Sequence, residues 1–575
     1  MNTTTENILP VRLEDGTVLD PFIVQLLGQR GIIGQQSISE FLEPKLSELP
    51  SPFLMKGMEK AVRIIEKALL NKDPILIWGD YDVDGTTSTA LLLRFFNYLG
   101  CDAKYYIPNR LTEGYGLQED ALKRISNENP GQNRLLITVD NGISAHGAVD
   151  LATELGYKTI ITDHHTPPPK EVRANAVLNP KQTDCSFPAK NLAGVGVAFY
   201  LAMGIRSYLN RKNFFGDSRT APNLKSLLDL VAVGTVADMV PLHGINRILV
   251  RAGMETLSQQ GNLGLTALCR GSNLDPTFIR SEDISFQIAP KINAAGRLGF
   301  AGRAVDLLLS KTKKEGQTIA MELINNNERR KNINLQELAK AIQEIEKSEI
   351  TDKYSTVIAG EYHVGVAGIV ASNLVEKYQK PSVVLCRTEG NIYKGSARSV
   401  PGVDLYIAIE RCQDLLLGFG GHKMAAGLSI SHDNIREFRM LFDESVFQQT
   451  QGVPVEVTEE VDADIRIEDL FKNNTLRQLH MFEPFGQGNP HPIFRDTESS
   501  FSEITPIGKD KRHLRLRLVG SGGKATTAIA FSMGSLVEQC RTNKDKEIMY
   551  TPSVNYFRGK RSWQVRITNI IFGKA

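Results

Sequence analysis

The chain has little of what marks a secreted or membrane protein. Only 6 of its 575 residues are cysteine, namely Cys101, Cys185, Cys269, Cys386, Cys412 and Cys540, and none forms a CxxC pair. That excludes a disulfide framework and a thiolate zinc site, and it suits a reducing compartment. No apolar run reaches the roughly 20 residues that cross a bilayer. The opening stretch MNTTTENILPVRLEDG lacks the basic-then-apolar profile of a signal peptide. A cytoplasmic protein without membrane contact is therefore expected. An excess of either charge is missing too, since 67 Lys and Arg face 65 Asp and Glu for a net +2. Any affinity for a polyanion must come from local basic patches, not from bulk charge. Repeats and low-complexity segments are absent. What is present, 41% hydrophobic and 23% charged residues, is the composition of a globular protein, long enough for three or four domains.

From about residue 73 to 240, short apolar runs alternate with helical patterns. PILIWGD, RLLITVDNG, KTIITDHH and NAVLNP read as strands, and TTSTALLLRFFNYLG and AHGAVDLATELG as helices between them. Strands that are apolar throughout and separated by helices predict a parallel sheet covered on both faces. Ligands of such sheets sit beyond the carboxyl ends of the strands. SLLDLVAVGTVADMVP predicts a helix running into a polar turn at Asp238. A long charged helix is expected from about 315 to 347. A second α/β unit follows in STVIAG, GVAGIVASNLVEKY and PSVVLC, closed by two glycine-rich runs, GSARSVPG and GFGGHKMAAG. Beyond about residue 453, HLRLRLVG, ATTAIAF, SVNYFRG and SWQVRITNIIF predict a small antiparallel barrel. The expected organisation is an extension (1–45), an α/β domain (46–310), a connecting long helix (311–350), a second α/β domain (351–452) and a barrel (453–575).

The stretch ILIWGDYDVDGTTSTAL, residues 75–91, packs Asp80, Asp82 and Asp84 into one turn. It begins like a calcium loop, but Leu91 stands where the bidentate glutamate belongs, and a strand precedes it where a helix is needed. DVDGT also resembles the DxDGT motif of haloacid-dehalogenase-like phosphatases, a reading that leaves the histidines downstream without a role. A lone aspartate at a strand end is more often a turn former than a ligand. The set changes that balance: Asp140 follows LLITV, Asp163-His164-His165 follows TII, and Asp238 closes GTVAD. A parallel sheet gathers these ends. Clustered carboxylates repel, and divalent cations relieve the repulsion. Oxygen-rich ligands with an imidazole suit Mn²⁺ or Mg²⁺, and there are enough for two ions that clamp a phosphate and activate water.

In this order, DYDVDG, VDNG, TDHH and VGTVADMVPL resemble the motifs of the DHH phosphoesterase superfamily, and HVGVAGIVAS, GSARS and GFGGHKMAAG resemble its associated C-terminal domain. Taken together, over roughly residues 45 to 575, the chain is similar to the RecJ family of single-strand-specific 5′→3′ DNA exonucleases. The resemblance implies a DHH domain, a DHH-associated domain and an OB-fold barrel. It implies that Asp82 and Asp84 serve different metal ions, that Asp140 bridges both, and that His164 and Asp238 complete the second site. Asp163 would orient an imidazole, and His165 would contact the scissile phosphate or assist the leaving group. Smaller members such as inorganic pyrophosphatases carry a histidine where Trp78 stands here. Asp80 is then the compensating ligand, directly or through water.

For the substrate, the resemblance places Arg110 and Arg297 near the DNA path or the 5′-phosphate. Ser396 and Arg398 become a phosphate-binding group, and His422 a substrate contact. Tyr115 either stacks on a base or packs. Basic residues in KDKRHLRLRL and YFRGKRSWQVRI, interleaved with Tyr556, Phe557 and Trp563, fit an oligonucleotide-binding surface. The implied activity is metal-dependent release of 5′-mononucleotides from single-stranded DNA with a 5′ end, in repair and recombination, by a monomer working with a single-strand-binding protein and a RecQ-type helicase. The alternatives are a phosphatase or oligoribonuclease of the same superfamily, acting on short oligonucleotides or cyclic dinucleotides, and a non-catalytic strand-binding scaffold.

Overall fold

In the computed structural model the apolar runs of the first half form one parallel sheet. Described are residues 10–128, 134–216, 220–347, 353–453, 460–471, 474–508, 510–520, 522–523, 525–557 and 560–573, with the side chains of 556–561 excepted. Strands β1 (Ile75–Trp78), β2 (Lys104–Tyr106), β3 (Arg134–Val139), β4 (Tyr157–Thr162) and β5 (Ala176–Leu178) stand in the order β2-β1-β3-β4-β5, all parallel. Every residue of β1 and β3 is buried, which is why both are apolar without alternation. On one face, Leu76, Trp78, Leu136 and Ile161 pack beneath helices Glu119–Glu128 and His146–Glu154. Helices Val83–Tyr98, Gly194–Arg211 and Leu228–Ala237 pack on one another. Sequence patterning missed β2, a three-residue edge strand that is only half buried. With β2 on one side of β1 and β3 on the other, the chain changes direction beside β1, and a crevice opens at the carboxyl ends there.

The charged pattern near residue 315 becomes one 35-residue helix, Lys313–Lys347, roughly 50 Å long. It leads to a mixed sheet of β6 (Thr356–Gly360), β7 (Ser382–Arg387), β8 (Ile392–Arg398), β9 (Leu416–His422) and β10 (Ala425–Ser431), in the order β6-β7-β8-β10-β9. Here the two glycine-rich runs supply strands: GSAR ends β8, and GFGGH with AAG forms the β9–β10 hairpin. Both sheets belong to one compact unit, Pro50–Val240 with Ala252–Val457.

The other unit comprises Met1–Leu49, Pro241–Arg251 and Thr458–Ala575. Its sheet holds β11 (Ala463–Asp464), β12 (Phe494–Asp496), β13 (Ser500–Ile507), β14 (His513–Val519), β15 (Ala525–Ala530), β16 (Lys546–Phe557) and β17 (Lys560–Phe572), in the order β11-β12-β16-β17-β15-β14-β13. Pairing is antiparallel except for β11–β12 and β15–β17. Residues read as a mere extension enter its core: Ile23, Leu26 and Leu27 are fully buried with Phe494, Leu514 and Tyr550. Among the described residues, no helix is long and apolar enough to cross a membrane. Five of the six cysteines are buried and all six are free.

Candidate active site

The acidic turn is shaped by backbone requirements. Asp82 is the N-cap of helix Val83–Tyr98, its carboxylate accepting from Gly85 N–H at 2.9 Å. The hydroxyl run behind it faces no solvent. Thr86, Thr87 and Thr89 are fully buried and each donates to the carbonyl four residues earlier at 2.7 Å. Gly85 lets this first turn press on β1's end, since a methyl there would lie 2.6 Å from the Asp80 carbonyl oxygen.

Asp84 points the other way and is clamped by the start of helix Gly194–Arg211, accepting from Gly194 N–H at 2.6 Å and Val195 N–H at 2.7 Å. Asp140 leaves β3 with a left-handed backbone, φ 62°, and its N–H bonds to the Thr162 carbonyl. Asp163 accepts from the N–H groups of Ile143, His164 and His165, and its Oδ1 lies 2.7 Å from His165 Nδ1. Asp238 caps the carboxyl end of helix Leu228–Ala237.

These elements bring every metal residue expected from the sequence together. Asp80, Asp82 and Asp140 bring one carboxylate oxygen each within 4.8 Å of one another; carboxylate oxygens of Asp84 and Asp238 with an imidazole nitrogen of His164 do the same, and so do Asp140, His164 and His165. His164 Nε2 lies 3.2 Å from Asp140 Oδ1, 3.6 Å from Asp238 and 4.0 Å from Asp84, so Asp140 stands between the two groups. Burial lifts the carboxyls of Asp80 and Asp140 well above the ordinary range, and the neighbouring carboxylates, Asp82 and Asp84 respectively, lift them further. For the same reasons Asp84 is pushed up to about 7 and Asp238 to about 9. Burial drives the His164 imidazole down to about 3, and it is neutral, as a ligand must be. Burial would likewise lower His165, but its bond to Asp163 outweighs that and raises it. Burial pulls Asp163 up, and the His165 bond and charge bring it below the ordinary value.

The donor set fits divalent cations. Asp80 Oδ1, Asp140 Oδ1, His164 Nε2 and Asp238 Oδ2 are buried without a hydrogen-bond partner, and buried carboxylates that repel one another must either take up protons or share a cation. Trp78 provides no ligand: its indole is fully buried and donates to the Gly116 carbonyl at 3.1 Å, fixing the loop that carries Tyr115. Tyr115 donates to the Asp140 carbonyl at 3.1 Å and lies edge-on to the His165 ring.

All the expected substrate residues except Trp563 lie in the same unit as these ligands. Arg110 covers the Tyr81 ring at 5.0 Å and lines a cavity of about 540 Å³, together with Ser396 and Arg398 of β8. Arg297 donates to the Gly365 carbonyl at 3.1 Å. Burial first, then Arg110, Arg330 and Arg398, bring its guanidinium down to about 9. Gly368 makes room for this group, because a methyl there would lie 2.8 Å from Arg398 Nη2 and 2.9 Å from Ser396 Oγ. His422 ends β9 beside Ala425, which pairs in turn with Arg398. Trp563 belongs to the other unit, 37% exposed and edge-on to His480 at 6.4 Å. Tyr556, Phe557 and Lys509 lie outside the residues whose side chains are described.

Sequence reasoning missed three groups. Lys181 lies just past β5, its charge acting on Asp238 and Asp163; its place after a strand's carboxyl end is the signal that would have found it. Arg330, within the expected long charged helix, is half-buried, with Nε unpartnered and Nη2 on Asn327. The Gly194 and Val195 amides left no side-chain signal at all.

Known proteins share this plan. A family model described as the DHH family, N-terminal domain, matches residues 74–235, the DHHA1 domain 352–447 and the RecJ OB domain 461–569. The single-stranded-DNA-specific exonuclease RecJ of Escherichia coli (strain K12) is 36% identical, over 96% of this chain and 96% of that protein. The Bacillus subtilis (strain 168) protein of the same name is 34% identical, over 96% of this chain and 68% of its own length. The crystal structure of RecJ from Thermus thermophilus in complex with Mn²⁺ superposes with a TM-score of 0.79 at 29% identity, covering 97% of this chain and 76% of that one. A second structure of that enzyme, in complex with Mg²⁺, gives 0.73. The fold, the clustered acidic and histidine residues and these matches agree: the chain belongs to the RecJ family of single-stranded-DNA-specific exonucleases.

Proposed function

We propose that the chain hydrolyses single-stranded DNA from its 5′ end with two divalent cations, Mn²⁺ or Mg²⁺, releasing 5′-mononucleotides in repair and recombination. The observation that carries this reading is the pair of buried ligand groups meeting at Asp140, beside an arginine-lined cavity in the same unit. Asp80, Asp82 and Asp140 would hold one ion, and Asp84, Asp140, His164 and Asp238 the other. Asp80 is then a direct ligand, which its buried, unpartnered Oδ1 supports. When bound, the cations draw charge from the phosphate oxygens and make water nucleophilic near neutral pH.

The chain's own groups do the rest. Asp163 fixes the His165 ring through Nδ1, leaving Nε2 to donate a proton. Water attacks phosphorus, the bond to the 3′-oxygen of the terminal nucleotide breaks, and His165 protonates that oxygen. The phosphate stays with the shortened strand, so each turnover recreates a 5′-phosphate. Ser396, Arg398 and Arg110 hold that end, Arg297 shapes the group, and Tyr115 and His422 contact the strand. The other unit binds the incoming strand through basic β14 and Trp563. We place the enzyme in the cytoplasm as a monomer, supplied with strand by a RecQ-type helicase and a single-strand-binding protein.

The reading is tested on single strands labelled at either end, and on a dinucleotide, each with Mn²⁺. Mononucleotide from the 5′-labelled strand at the earliest times is expected. Release first from the 3′ label, or cleavage of the dinucleotide alone, would overturn it.

A further inference from the structure

Strands β8, β10 and β9 place alternate residues on the face opposite their apolar core, where Ala397, Leu428 and Ile430 are buried. Registration aligns Ser396, Gly427 and Gly420 in one row across that open face. Gly418 belongs to the next row, with Ser429 and Lys394. None of these three glycines has a positive φ. A methyl on Gly418 or Gly420 would meet no protein atom within 4 Å, and one on Gly427 only the Gly395 carbonyl oxygen at 3.8 Å. Gly395, on the core face, differs: its methyl would run into Leu385 and Leu428 at 2.6 and 2.9 Å. Packing therefore requires glycine at 395 and not at 418, 420 or 427. Glycine weakens a strand interior, and one that the fold does not need marks a place where another molecule approaches the backbone.

We infer that this bare floor seats the sugar and base of the 5′-terminal nucleotide, an inference resting on the proposal that Ser396 and Arg398 hold the end phosphate. A phosphate at Ser396 has the glycine row immediately beside it, and three strands span roughly 10 Å, enough for a ribose and a base laid flat. The cavity of about 540 Å³ is far larger than a phosphate alone fills. The centre of the floor is uncharged. The cations that line the cavity, Lys394, Arg398 and Arg110, stand outside the glycine row, so a planar neutral base fits the centre where a further anion does not. Peptide faces cannot tell one base from another, and the seat accepts all four. Because β9 is the edge of its sheet, the seat is open at the side. A terminal base enlarged by a lesion is therefore accepted too.

Gly420→Val and Gly427→Val test the seat, with the alanine variants as smaller steps; valine favours strands, so folding is retained, and thermal melting checks it. The substrates are 5′-phosphorylated single strands whose terminal nucleotide is either normal or abasic, with Mn²⁺. On the normal strand kcat/KM falls by at least about tenfold in the valine variants, and on the abasic one by less than about threefold. Equal losses on both strands, or none on either, would overturn the seat. Failure of the wild-type chain to cleave either strand would instead overturn the exonuclease reading beneath it.

Discussion

At the residue scale the centre is a set of charges held against their own repulsion. In the folded chain without metal, the carboxyls of Asp84 and Asp238 sit at about 7 and about 9, against an ordinary value of 3.8. The folded state therefore retains protons that the unfolded chain has released, between about pH 4 and about pH 9. Stability of the metal-free protein is then greatest at the acid end of that window and is lost as pH rises through the folded values. Thermal unfolding in chelator is expected to give a lower midpoint near pH 8.5 than near pH 6, and Mn²⁺ should raise the midpoint more at the higher pH. A midpoint that climbs with pH in chelator would mean these carboxyls are already ionised without cost. Trp78 adds no ligand to that set: its fully buried indole donates to the Gly116 carbonyl instead.

At the element scale, strand ends and helix starts aim the ligands, and one glycine decides how closely they meet. Gly194 opens the helix whose amides clamp Asp84, and a methyl there would stand 2.7 Å from Asp140 Oδ1 and 2.8 Å from its Cβ. Gly194→Ala should lower cleavage by about 10- to 100-fold through displacement of Asp140, with the circular dichroism spectrum unchanged. Full activity in that variant would show that Asp140 tolerates movement. The sheet that aims these residues was legible in the sequence, because β1, β3 and β4 are buried runs followed by Asp, Asp and Asp-His-His. Neither Gly194 nor the strand character of GSARS and GFGGH was legible. Glycine in text signals a turn, whereas here Gly395 packs against leucines and the others leave a face bare.

At the scale of the whole molecule, the sequence announces the barrel and conceals what completes it. Residues 10–49 are too short a stretch to form a core of their own, and Leu13, Leu19, Ile23, Leu26, Leu27, Ile38 and Leu42 are buried with residues of β12, β14 and β16. Arg247 ties that unit together: its guanidinium donates to the carbonyls of Phe41, Met481, Phe482 and Glu483 at 2.7 to 3.0 Å and lies 3.7 Å over the Phe41 ring. Arg247→Met strands those carbonyls and should cost about 3 kcal/mol in this unit. Trp78 and Trp563 are the two tryptophans of the chain. In a Trp78→Phe background, urea unfolding followed by Trp563 fluorescence reads the loss, and an unchanged midpoint would contradict it.

In the proposed mechanism two divalent cations share Asp140, and cleavage needs both. Mn²⁺ binding and cleavage of a 5′-labelled single strand, measured together on the wild-type chain and on Asp140→Asn, test it most directly. We expect two ions per wild-type chain with a spin-coupled resonance, and in the variant loss of that coupling with a fall in cleavage of at least about 10³-fold. A single bound ion in an active wild-type chain, or an Asp140→Asn protein that still cuts, would contradict it.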